Sequence, residues 1–263
     1  MRTVRNRRTP VFAMLATLVA SLALAGCGGG SDDSSSSSDK TTLNVLGAAS
    51  LTETFTKLAA DFEKDHPGVK VKLAFDSSAT LAEQVNQGAP ADVLATADTD
   101  TMQTVVDDGG TAKNPVLFAT NHLQMVVPKE NPAGITKFSD LNKPKVKYVV
   151  CVDTAPCGKL AVKVLAANHI TNKPASEEVD VKAVEAKVEA DEADAGLVYV
   201  TDAVAAGGTV KAIDVPTTKG NLNQYPIAAL KHAKEPTLAQ QFVDLVLSSK
   251  GQKVLSDAGF GKP

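Results

Sequence analysis

The chain has 263 residues, with 30 acidic against 27 basic side chains, a formal net charge of −3, 43% hydrophobic residues and no tryptophan. All four arginines, Arg2, Arg5, Arg7 and Arg8, stand near the N-terminus, and the lysines beyond them are spread among Asp and Glu. Nucleic acid is thereby excluded as a partner, because phosphate backbones call for clustered Lys and Arg; an anion held by such a chain has to be held by neutral donors.

The N-terminus has three parts: a basic run from Met1 to Arg8, an apolar run from Val11 to Ala25, and the box Leu24-Ala25-Gly26-Cys27. The apolar run has the length of a signal-peptide core and falls short of the roughly 20 residues of a membrane span. With the box ending in Cys27, the segment resembles a bacterial lipoprotein signal. Residues 1–26 are expected to be removed and Cys27 to carry lipid, with an ordinary secretory signal as the alternative. Residues 27–40 then form a Gly/Ser tether with a reach on the order of 20 Å. The folded part is expected outside the cytoplasm, anchored at the outer face of the cell membrane.

From Thr41 onward, short apolar runs alternate with amphipathic stretches, the pattern of an α/β protein with buried parallel strands. A strand over Thr42 to Leu46 leads to a helix over Leu51 to Asp65, whose Leu51, Phe55, Leu58, Ala59 and Phe62 share a face. Ser50 followed by Glu53 has the form of a capping box and predicts the helix start at Ser50. Next come a strand over Lys70 to Phe75, a helix over Ala79 to Asn86, a strand over Val93 to Ala95 and a helix over Thr99 to Asp107. Strands over His122 to Pro128 and Lys147 to Cys151 precede helices over Gly158 to Ala167 and Val181 to Ala190. A strand over Ala195 to Tyr199, a helix over Thr201 to Ala205 and a strand over Val210 to Asp214 follow. Helices over Thr237 to Ser248 and Lys250 to Ala258 close the chain.

Ser50 and Ser78 each stand where an apolar strand gives way to a helix. A helix start leaves backbone N–H groups unpaired and carries partial positive charge, so a serine there adds a hydroxyl to an anion seat. Glycine-rich dinucleotide and phosphate-loop motifs are absent, which leaves nucleotide binding without support. Hydrolysis at Ser50 is disfavoured too: the glycine-flanked elbow is missing, and none of His66, His122, His169 and His232 is placed as its base. Once Cys27 is assigned to lipid, Cys151 and Cys157 remain in an oxidising compartment; a disulfide between them is favoured over two buried thiols, and a metal site lacks nearby histidine.

Several segments, taken in order, are similar to the extracytoplasmic molybdate-binding proteins of ABC-type importers. They are Ala48-Ala49-Ser50-Leu51-Thr52, Ser77-Ser78-Ala79-Thr80-Leu81-Ala82 with Gln84, Gly88-Ala89-Pro90-Ala91-Asp92-Val93, Gly196-Leu197-Val198-Tyr199 with Thr201-Asp202-Ala203, and Tyr225-Pro226. The resemblance implies a two-lobed type II periplasmic-binding clamshell, each lobe a mainly parallel sheet flanked by helices. Lobe 1 would comprise residues 41–121 and 223–263, and lobe 2 residues 122–222. It implies oxyanion contacts from the side chains of Ser50, Ser78 and Tyr199 and from the backbone at Cys157 and Val181. Molybdenum is then held only as its oxyanion, molybdate or tungstate, without a direct protein ligand or a further cofactor. A membrane permease and an ATPase are the implied partners of a monomer. Alternatives are another tetrahedral oxyanion such as sulfate, or a ligand-free lipid-anchored scaffold. Asp76, two residues before Ser78, would repel a dianion unless it points away or accepts from amides of its own loop.

Overall fold

The computed structural model describes residues 41–216 and 220–263; the expected signal, Cys27 and the tether lie outside the described residues. The first segment contains β1 (Thr41–Ala48), a 3-10 turn (Ala49–Leu51), α1 (Thr52–Asp65), β2 (Val69–Asp76), α2 (Ser78–Asn86), β3 (Val93–Ala95), α3 (Thr99–Asp107) and β4 (Val116–Asn121). The second contains β5 (Leu123–Pro128), β6 (Tyr148–Cys151), α4 (Pro156–Ala167), β7 (Ser176–Glu178), α5 (Val181–Glu189), β8 (Ala195–Tyr199), α6 (Val200–Ala206) and β9 (Val210–Ile213). The chain returns with β10 (Asn223–Ala229), α7 (Pro236–Leu247) and α8 (Ser249–Asp257). Strand order is β2-β1-β3-β10-β4 in one sheet and β7-β6-β8-β5-β9 in the other, so two lobes are joined at His122 and again between β9 and β10.

Each lobe closes on its own apolar core. In lobe 1, α1, α7 and α8 cover one face of the sheet, where Phe242 lies edge-on to Phe55 and Phe62. Leu81, Met102 and Val105 of α2 and α3 pack in a separate cluster with Leu46 and Leu94. Met125, Val164, Val184 and Leu197 are central in lobe 2. Full burial of side chains this size contributes about 1.5–3 kcal/mol each, which explains why the apolar periodicity of α1 located its buried face.

Each sheet is mixed but mainly parallel, with four of its five strands running one way and one against them. β1 pairs in parallel with β2 and β3, as does β6 with β7 and β8, whereas β10 and β5 run antiparallel to both neighbours. The reversed strands are the two that follow a crossing: a strand entering a lobe at the hinge starts at the cleft, while the strands that feed the site end there. β4, β7 and β10 have no counterpart among the expected strands. Pro226 argues against a strand with partners on both sides, since proline lacks a ladder N–H; a register shift between Tyr225 and Pro226 accommodates it. β4 runs into β5 without a turn signal, and β7 is a short polar edge.

Cys151, ending β6, and Cys157, in the first turn of α4, form a disulfide. Gly158 permits the close approach of that turn to the strand end, because a Cβ there would collide with the Val152 carbonyl.

Candidate functional site

The parallel strands of the two lobes end opposite one another, and the turns that leave them surround a cavity of about 20 Å³. Ser50, Ser78, Cys157, Val181 and Tyr199 all line it, from five different turns. A cavity needs about 10–15 Å³ to admit one water, and pockets for drug-sized ligands run to about 300–1,000 Å³. The closed space therefore suits a compact ligand. A larger groove of about 570 Å³ lies beside α2 and α3, but Glu83, Asp100 and Asp108 line it against Lys159 alone, a net negative wall that disfavours anions.

Each turn presents donors. Val181 is the first residue of α5, Ser78 the first of α2, and Cys157 follows Pro156 at the start of α4. Amides in a first turn have no intrahelical acceptor, and no other acceptor among the described residues engages those of Ser78, Cys157 or Val181. The Ala97 amide donates to Ser78 Oγ at 2.9 Å, which leaves the serine proton free to be given elsewhere. Two carboxylates share the wall, and both are engaged by amides: Asp76 Oδ1 accepts from Ser77 N at 2.6 Å, and Asp180 Oδ1 from Ala183 N at 2.9 Å. Asp76 thus lines the cavity while turned onto its own loop.

Ser50 departs from the expected capping box. The backbone passes through the 3-10 turn first, α1 begins at Thr52, and no side chain caps it. The Ser50 hydroxyl instead lies 2.9 Å from the Tyr225 hydroxyl, and Glu53 reaches across the cleft to Lys182. Tertiary partners outcompete a local cap that is worth about 1 kcal/mol.

Tyr199 ends β8 with its ring 1% exposed, edge-on to Tyr225 with centroids 6.0 Å apart. Asn223, the first residue of β10, donates its amide to the Tyr199 hydroxyl at 2.6 Å and to the Pro156 carbonyl at 3.2 Å. Its neighbour across the ladder, Asn121, donates to Thr201 Oγ1 at 2.9 Å. Both hinge asparagines therefore reach from lobe 1 into lobe 2. Burial pushes both phenols above the usual tyrosine range, so they stay protonated and able to donate.

The cationic side chains described near the cleft stand at its rim. Lys159 pairs with Asp98 at 2.9 Å and Lys182 with Glu53 at 2.8 Å, each pair joining lobe 2 to lobe 1. Lys182 also meets Glu185 and Asp202. Burial opposes its charge, but Asp202, Glu53 and Glu185 outweigh burial and raise its pKa. Three carboxylates share this ammonium, and the most buried of them, Asp202, is pushed up to about 7 by desolvation, against the pull of Lys182 and of the Tyr199 amide that it accepts at 3.0 Å.

Tyr225, Asn121, Asn223 and the two rim lysines are the parts that the sequence reading did not place at the site. Only Tyr225 carried a signal, in the Tyr225-Pro226 pair; the asparagines and lysines belong to no local pattern.

Residues 43–261 match the family model described as bacterial extracellular solute-binding protein. The chain is 42% identical over 219 residues to the molybdate-binding protein ModA of Mycobacterium tuberculosis, covering 83% of this chain and 84% of that protein. YvgL of Bacillus subtilis, provisionally named an ABC transporter substrate-binding lipoprotein, is 30% identical over 253 residues, covering 94% and 96% of the two chains. The periplasmic molybdate-binding protein of Azotobacter vinelandii shares the fold, with a TM-score of 0.75 at 19% identity over 84% of this chain and 99% of that one. These relatives are binding proteins rather than enzymes. The chain belongs to the bacterial extracellular solute-binding protein family, with the two-lobed type II periplasmic-binding fold.

Proposed function

We propose that this protein captures molybdate, and also tungstate, between its lobes and delivers it to the permease and ATPase of an ABC importer. The observation that carries this reading is the meeting of Ser50, Ser78, Cys157, Val181 and Tyr199, from five turns, around one cavity of about 20 Å³ that no lysine lines among the described residues. Ser50, Ser78 and Tyr199 donate by side chain, and Cys157 and Val181 by backbone N–H. Hydrogen bonds to a charged partner contribute about 1.5–3 kcal/mol each, enough in sum to hold a dianion without a formal positive charge. The 42% identity to a protein named for molybdate binding supports the choice of ligand. Donors from both lobes meet one anion only when the lobes approach, and the closed form is the shape a permease can recognise.

We also propose that the mature chain is a monomer anchored through lipid on Cys27, by its lipoprotein-like signal and the similarity to YvgL. Replacing Cys27 by alanine should then release the protein from the membrane fraction.

Isothermal titration with molybdate, tungstate, sulfate and phosphate tests the ligand. Tight binding of the first two is expected. Binding of sulfate or phosphate with none of molybdate would overturn the assignment.

A further inference from the structure

We propose that Asn223 is a positioning residue of the oxyanion site: from the hinge it occupies the acceptor side of the Tyr199 hydroxyl and makes that hydroxyl an obligate donor. The proposal rests on the reading of the cavity as an oxyanion site and adds a residue that does not itself line it.

The direction of the bond follows from chemistry. Asn223 Nδ2 has two protons and two partners, the Pro156 carbonyl at 3.2 Å and the Tyr199 hydroxyl at 2.6 Å. A carbonyl only accepts, so this end of the carboxamide is the NH2 group, and the tyrosine oxygen is the acceptor in the second bond. A phenol that has accepted through its oxygen retains one proton to give. Burial keeps that proton on the oxygen at physiological pH. Its outlets are an anion in the cavity and the neighbouring Tyr225 hydroxyl.

The placement matters as much as the bond. Asn223 belongs to the lobe 1 sheet, as the first residue of β10 beside Asn121, whereas Tyr199 and Pro156 belong to lobe 2. Both asparagine contacts therefore span the lobes at the return crossing, and with 8% of its surface exposed Asn223 has little water to satisfy it otherwise. Opening of the cleft at the hinge would separate donor from acceptor and free the Tyr199 hydroxyl to turn. Closure and the orientation of one ligand-facing proton are thus set by the same amide.

A double-mutant cycle read by isothermal titration with molybdate tests this. Asn223→Ala should weaken binding by about tenfold in the parent protein, in line with one hydrogen bond to a charged group. In a Tyr199→Phe background the same change should cost less than about twofold, because no hydroxyl is left to orient. Asn223→Asp keeps the size and shape but offers Tyr199 an acceptor, so it should bind molybdate more weakly than Asn223→Ala. Equal losses in both backgrounds would assign Asn223 to holding the Pro156 turn and overturn the proposal. Parental affinity in Asn223→Asp would overturn it as well. Failure of the parent protein to bind molybdate would instead remove the reading of the cavity, and the proposal with it.

Discussion

The interior of the cleft and its rim solve different problems with different chemistry. Inside, Ser50, Ser78, Cys157, Val181 and Tyr199 line a cavity from five turns; no lysine among the described residues stands in its wall, and the carboxylates of Asp76 and Asp180 that do are engaged by amides. At the rim, Lys159 and Lys182 reach from lobe 2 to Asp98 and Glu53 of lobe 1, and their side chains remain 35% and 25% exposed. Fixed dipoles keep their strength in a buried site, need no ordering when a ligand arrives and bring no net charge to desolvate. Ion pairs that stay partly exposed contribute on the order of 1 kcal/mol, too little for capture but enough to tilt a balance between open and closed lobes. On the proposed function, the interior governs what binds and the rim governs how readily the lobes meet.

That division can be broken most sharply by putting a further carboxylate among the donors, one that no amide engages. Ser78→Asp should reduce molybdate affinity by at least about a hundredfold, since a unit charge near another costs about 4 kcal/mol at 4 Å with an effective dielectric of 20. Calorimetric binding within tenfold of the parent would show that Ser78 does not face the anion.

Removal of single donors should have the next largest effect. Proline is tolerated at a first helical position, and Asp180 already has the extended backbone that a following proline requires (φ −150°, ψ 177°), so Val181→Pro deletes one amide with the helix kept. It should cost about 1.5–3 kcal/mol of molybdate binding, and Ser50→Ala or Tyr199→Phe about 1–3 kcal/mol each. An unchanged dissociation constant removes that residue from the site.

Rim changes should be milder. Glu53→Gln or Asp98→Asn is expected to weaken binding by less than about 1 kcal/mol, with the difference from the parent shrinking as salt is raised. A loss as large as that of Val181→Pro would merge rim and interior into one device.

A final effect concerns stability alone. The Asp202 carboxyl lies at about 7 in the fold against an ordinary 3.8. Between those values the folded chain holds a proton that the unfolded chain has released, so the stability from this group is complete below about pH 4 and is lost as pH rises through about 7. The melting temperature of the ligand-free parent should therefore fall more between pH 5 and pH 8 than that of Asp202→Asn. Parallel curves would place the buried charge elsewhere.

The residues of the site differ in how legible they were. Ser50 and Ser78 were marked as donors because a strand-to-helix turn has a local signature, yet the capping box suggested for Ser50 gave way to Tyr225, 175 positions away. Asn121 and Asn223 sit in no motif, and their importance comes from adjacency across β4 and β10, with β10 itself hidden by Pro226. Val181 was placed through family resemblance, and the capping bond of Asp180 to Ala183 gives its helix start a physical cause.

The sequence by itself determined the alternation of strands and helices, the buried face of α1 and the strand-to-helix turns at Ser50 and Ser78, whereas Tyr199, Cys157 and Val181 were implied by resemblance to a family. The first three properties depend on periodicity and turn chemistry, which act over a few residues. Only the tertiary structure decided that two strands run reversed, that Asp76 turns onto its own loop, that two lysines bridge the lobes and that a hinge asparagine holds Tyr199. Each of these is a choice among partners far apart in the chain, settled by which groups burial leaves within hydrogen-bonding reach.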